Sequence, residues 1–91
     1  MTAETIVSRI VKEQQSVMGP IALELAKNVK GLKISSLKNI EITGDDGKDV
    51  IKALVKEYEK LFGHASIEVC KDAIRTIKPA VQVDELPEIL Q

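Results

Sequence analysis

The chain has no tryptophan, one tyrosine, one phenylalanine, one histidine and one cysteine in 91 residues. Each scarcity closes off a kind of function. Tyr58 and Phe62 are too few aromatics to stack bases or to floor a carbohydrate site. A lone Cys70 excludes an internal disulfide and suits a reducing compartment, so a cytoplasmic location is expected. Charge of one sign is also missing. The formal net charge of −1 provides no bulk attraction to nucleic acid or to an anionic membrane. No apolar run approaches the ~20 residues that span a bilayer, so no membrane insertion is expected. The N-terminal stretch carries Glu4 where an export signal would be apolar, which argues against such a signal. At this length one domain with a modest core is expected over residues 1–91.

What the chain does have is a repeat. Residues 6–29 align without a gap on residues 50–73, at a constant offset of 44. Six of the 24 aligned pairs are identical: Val11/Val55, Lys12/Lys56, Glu13/Glu57, Gly19/Gly63, Glu24/Glu68 and Lys27/Lys71. Apolar character is kept at Val7/Ile51, Ile10/Leu54, Val17/Leu61, Met18/Phe62, Leu23/Ile67 and Leu25/Val69. A period of this size marks one supersecondary unit used twice. Unit one is read as residues 3–31, a linker as 32–45, unit two as 46–78 and a docking segment as 79–91.

Within unit one, Ile6, Val7, Ile10, Val11, Val17, Met18, Ile21, Leu25 and Val29 recur at helical spacing. Thr2 or Thr5 can cap the start, and Gln14 interrupts the apolar face. Gly19-Pro20 predicts a kink, or a break with Pro20 opening a second helix. Gly31 is a plausible end. Residues 32–43 then alternate Leu32, Ile34, Ile40 and Ile42 with polar residues, which predicts a β-hairpin; a helical turn at 35–39 is the alternative. Residues 80–83 are a candidate third strand. Asp46 can cap the next helix, with Asp49 in its first turn. Its apolar face runs from Val50 to Ile77 and either continues through Gly63 or bends there, and Pro79 is expected to end it. The predicted fold is mainly α: two helix–Gly–helix units facing one another about a pseudo-twofold axis as a four-helix bundle, with a small hairpin between them. Gly19 and Gly63 are expected at a close helix crossing, with Met18 and Phe62 filling the space between units.

No residue pattern compels a chemistry. His64 suits the solvent side of a bend, and its repeat partner is Pro20. Cys70 lies ~1.7 helical turns further on, on the opposite side of a continuous helix. Its repeat partner is Ala26, so a small core residue is the simpler reading. Asp45, Asp46 and Asp49 lack the spacing of a calcium loop and read better as caps, and GDDG is no phosphate loop. No catalytic residue, metal or cofactor is therefore expected. Lys27, Lys30, Lys33 and Lys38 form a run with no acid between them. It reads as a solvated face, a phosphate contact or a complement to the acidic tail. All 13 Lys and Arg lie in residues 1–79 against 11 acids, a balance of +2, while residues 80–91 hold only Asp84, Glu85 and Glu88, a balance of −3. In that tail Leu86, Ile89 and Leu90 are apolar among acids, as in a segment that docks on its own bundle or in a partner's groove.

The string VMGPIALELAK, through Gly19, Pro20, Ile21 and Ala22, resembles the short "GPIA" helical modules attached to bacterial signalling and regulatory proteins. That resemblance implies protein interaction within regulation. Residues 48–90 also resemble archaeal histones in the order long helix, extended segment, Asp-capped short helix. Histones carry a strongly basic surface and DNA-contacting Arg, and this chain does not. The favoured expectation is a non-enzymatic protein–protein interaction or regulatory module that self-associates, as a homodimer. The alternatives are a DNA-associated regulator using the lysines of 27–38, and a small-ligand carrier with a pocket at the helix crossing.

Overall fold

Helix α1 runs from Ala3 to Met18. The spacing of its apolar residues puts Ile6, Val7, Ile10 and Val11 on one face, and all four are buried. The helix stops where Gly19 adopts φ 74° and Pro20 has no N–H to extend the ladder. The chain breaks here rather than kinks. Pro20, at φ −58°, leads into α2, Ile21–Lys27. The computed structural model describes residues 3–43, 46–77 and 86–91.

Helix α2 ends at Lys27 with Asn28 in the cap position, before Gly31. Gly31, at φ 86°, instead turns the chain into a hairpin. Strand β1, Leu32–Ser36, pairs antiparallel with β2, Asn39–Ile42. The register sets Leu32 opposite Ile42, Lys33 opposite Glu41 and Ile34 opposite Ile40, with an irregularity before Ser36 and Asn39. Leu32 and Ile34 point inward and are buried. β1 packs on α2 and β2 on α1, which supplies the support that an isolated hairpin lacks. The Ser8 hydroxyl donates to the Leu37 carbonyl at 3.2 Å, fastening the turn to α1. The candidate third strand at 80–83 lies outside the described residues.

Helix α3, Gly47–Phe62, is capped as the sequence predicts: the Asp46 carboxylate accepts from the Lys48 N–H at 2.9 Å. Gly63, at φ 69° and ψ −155°, ends α3 and begins α4, His64–Arg75. Its N–H donates to the Glu59 carbonyl at 2.7 Å, and its own carbonyl accepts from Ser66 N–H at 3.1 Å. Helix α4 closes at Thr76, ahead of Pro79, which lies outside the described residues. At the C-terminus a 3₁₀ turn, Glu88–Leu90, packs on α4. Helix α1 is central, touching α2, α3, α4 and β2. Among the described residues no helix is long and apolar enough to cross a membrane.

Candidate interaction surface at the helix breaks

Gln14 interrupts the apolar face of α1 in the sequence, yet it is completely buried. Its Nε2 donates to the Ser66 carbonyl at 3.1 Å and to Cys70 Sγ at 3.4 Å, tying α1 to α4. The Tyr58 hydroxyl donates to the Ala22 carbonyl at 2.9 Å, tying α3 to α2. Ser66 Oγ donates to the Tyr58 carbonyl at 3.1 Å and links the two ties. Gln14 and Tyr58 are 44 residues apart, and so are Ala22 and Ser66, which is the offset of the sequence repeat. Gln14 Oε1 has no hydrogen-bond partner among the described residues. A buried orphan acceptor of this kind costs about 1–3 kcal/mol, so the surrounding packing must offset it.

Burial governs the ionisable members of this cluster. Desolvation pushes the Cys70 thiol up to about 11, and the bond from Gln14 opposes the shift in part. Desolvation also raises Tyr58 well above the ordinary phenol value, and the neighbouring Cys70 adds to the rise. Both groups are neutral at physiological pH and serve as packing and hydrogen-bonding residues.

Through these ties the turn before each break bonds to the turn after the other. Val17 lies one turn beyond Gln14, Leu61 one turn beyond Tyr58, and Ile21 adjoins Ala22. Here the apolar pattern leaves the core. Val17 is 61% exposed, Ile21 42%, Leu61 49% and Phe62 49%. The cause is helical phase. Each glycine resets the direction of the chain, so Ala22 and Ala26, and then Ile67, Cys70, Ala73 and Ile74, become the buried faces. The large side chains just before each break are left outside. Covering a Leu or Phe gains roughly 1.5–3 kcal/mol, so a partner seated here would gain several.

Other residues singled out in the sequence lie elsewhere. His64 is exposed at the start of α4, whereas Cys70 is wholly buried, so the two form no pair. Among the described residues no three His, Cys, Asp or Glu side chains gather as metal ligands. Lys27, Lys30 and Lys33 are exposed on α2 and the hairpin side. Leu86 and Leu90 are buried and Ile89 packs against the same core, so this part of the tail packs against α4. Asp84 and Glu85 lie outside the described residues.

The expected close crossing at Gly19 and Gly63 needs correction. A Cβ built on either glycine meets nothing within 4 Å. They are needed for their positive φ, not for close approach. Phe62 is half exposed instead of filling a gap between units, while Met18 is partly buried against the core. The tight glycine is Gly47, whose Cβ would stand 2.7 Å from that of Ala3. Grooves of about 630 Å³ and 270 Å³ run beside the hairpin, and neither is lined by Gly19 or Gly63.

Compared with protein-family models, with curated proteins and with solved structures, the chain matches none. The roles of Gln14, Tyr58 and Ser66 were not evident from residue type. The available signal was the repeat, which aligns Gln14 with Tyr58 and Ala22 with Ser66.

Proposed function

We propose that the protein is a non-enzymatic protein–protein interaction module that self-associates as a homodimer through the end of the molecule where its two helix breaks meet. The observation that carries this is the exposure of Val17, Ile21, Leu61 and Phe62, which flank the two helix breaks on three different helices. The reading includes an internally duplicated, four-helix bundle. In its support, α1 and α3 start and stop 44 residues apart, and the Gln14–Ser66 and Tyr58–Ala22 bonds exchange under the same offset. Val17 corresponds to Leu61 and Met18 to Phe62, so the apolar end is pseudo-twofold in composition. A second copy docked with a twofold of its own would repeat each favourable contact, which suits an isologous interface. The ion pair within α3, Lys60–Glu57 at 3.2 Å, would form part of the polar rim.

Light scattering across a dilution series tests the reading. The parent chain is expected to exceed 10.0 kDa at micromolar concentration. Leu61→Glu with Phe62→Glu should remove the association made through this end, so that the mass seen at high salt falls to that of the monomer. A parent that scatters as a monomer at every concentration overturns the self-association reading.

A further inference from the structure

The hairpin has an unfinished edge. Thr43 N–H donates to the Gly31 carbonyl at 2.8 Å, so Gly31 and Thr43 are a hydrogen-bonded pair. Antiparallel pairs alternate. Lys33 and Glu41 are then the next bonded pair, while Leu32, Ile34, Ile40 and Ile42 turn their backbone groups away from the partner strand. The Leu32 N–H is taken by the Val29 carbonyl at 3.2 Å. The outward N–H and C=O of Ile34 have no hydrogen bond among the described residues. Unpaired strand edges are templates for another chain.

The surroundings of this edge are cationic. The groove of about 630 Å³ beside it is lined by Lys27, Lys33 and Lys38, with Glu41 the one acid in its wall. Lys27 pairs with Glu24, but Lys33 and Lys38 hold no ion pair among the described residues. Edge lysines repel a second β1 edge, which guards against indiscriminate pairing. The same lysines favour a strand that carries acids.

The chain contains one sequence of that character. Residues 80–85, AVQVDE, alternate β-branched Val81 and Val83 with Gln82 and end in two acids, inside a tail with no Lys or Arg. Six residues match the five of β1 in length. We propose that the free edge of β1 accepts residues 80–85 of a second copy of this chain as a third strand. Ile34 supplies the main-chain bonds, and Lys33 and Lys38 receive Asp84 and Glu85. This is strand addition, with backbone bonds giving affinity and charge giving selectivity. It uses a surface separate from the helix breaks.

A fluorescein-labelled peptide of residues 80–91, titrated into the full chain, tests it by anisotropy. Binding should saturate and weaken at least tenfold in Lys33→Glu with Lys38→Glu. A peptide carrying Asp84→Lys and Glu85→Lys should bind that variant in preference to the parent chain. Exchange of the Ile34 amide hydrogen should slow at least tenfold on peptide addition. Leu61→Glu with Phe62→Glu should leave peptide binding unchanged, which separates this proposal from the dimer reading above. No peptide binding, binding indifferent to the lysines, or binding that leaves Ile34 exchange unaltered each overturns it. If a duplex oligonucleotide binds through Lys33 and Lys38 where the peptide does not, the groove belongs to nucleic acid and the proposal fails.

Discussion

At Gly63 the backbone lies at φ 69° and ψ −155°, a combination open essentially to glycine alone. Nothing stands within 4 Å of a Cβ built there, so a methyl group would fit while the backbone would not. Gly63→Ala should therefore lower stability by about 1–3 kcal/mol through strain, read from urea midpoints. An unchanged midpoint would mean that the break does not need this conformation. Cys70 gives a second prediction, in pH. Its thiol ionises ordinarily near 9.0 and in the fold at about 11. Below pH 9 both folded and unfolded chains hold the proton, and the full stability is present. Between 9 and 11 the unfolded chain releases it first, so stability falls as pH rises, by roughly 2–3 kcal/mol. Tyr58, also raised, extends the loss to higher pH. Cys70→Ala, with Ala26 as its repeat partner, should flatten the decline between pH 9 and 10, below the ordinary phenol value of 10.0, and an equally steep decline there would exclude the thiol as its source.

Among the elements, those decided by local pattern were legible in the sequence. The apolar spacing located α1 and α3, Asp46 announced the start of α3, and alternation from Leu32 to Ile42 announced the hairpin. What periodicity could not give was the change of helical phase at each glycine. Val17, Leu61 and Phe62 continue the apolar stripe in sequence, but the chain turns immediately after them and leaves them outside the core. Gln14 was illegible for the converse reason. A polar residue on an apolar face is buried only if a partner meets it, and the Ser66 carbonyl comes from 52 residues away. The C-terminal segment sits between these cases. Its apolar residues were read as a docking element apart from the core, whereas Leu86, 6% exposed, and Leu90 join the core and Glu88 faces solvent. Leu86→Ala should thus cost about 2 kcal/mol or more, and Glu88→Ala at most ~0.5 kcal/mol. Thermal melts of the two variants compare them directly. The reverse order would mean that the tail is held by charge.

For the whole molecule, accessible surface separates folding from association. A folded monomer of this mass exposes about 5,200 Å² by the usual scaling. The chain exposes 5342 Å². Its radius of gyration of 11.5 Å is also no larger than the ~12 Å expected for one compact chain of this length. Total exposure and size are thus those of one compact chain. Pairing of copies would be of the non-obligate kind, drawing on the side chains left outside at the helix breaks. This sharpens the test of the double substitution at Leu61 and Phe62. Both residues are about half exposed, so glutamates there should shift the denaturation midpoint by no more than ~0.5 kcal/mol when measured at concentrations where the parent is monomeric. The same change should abolish association through this end, because it would bury two carboxylates against apolar neighbours. Self-association through this end should also persist in high salt, since apolar contact is not screened, whereas strand addition at the lysine-lined edge should weaken there. Loss of the fold in the double variant, with circular dichroism of an unfolded chain, would reverse the conclusion: the apolar end would then be part of an obligate core shared between copies.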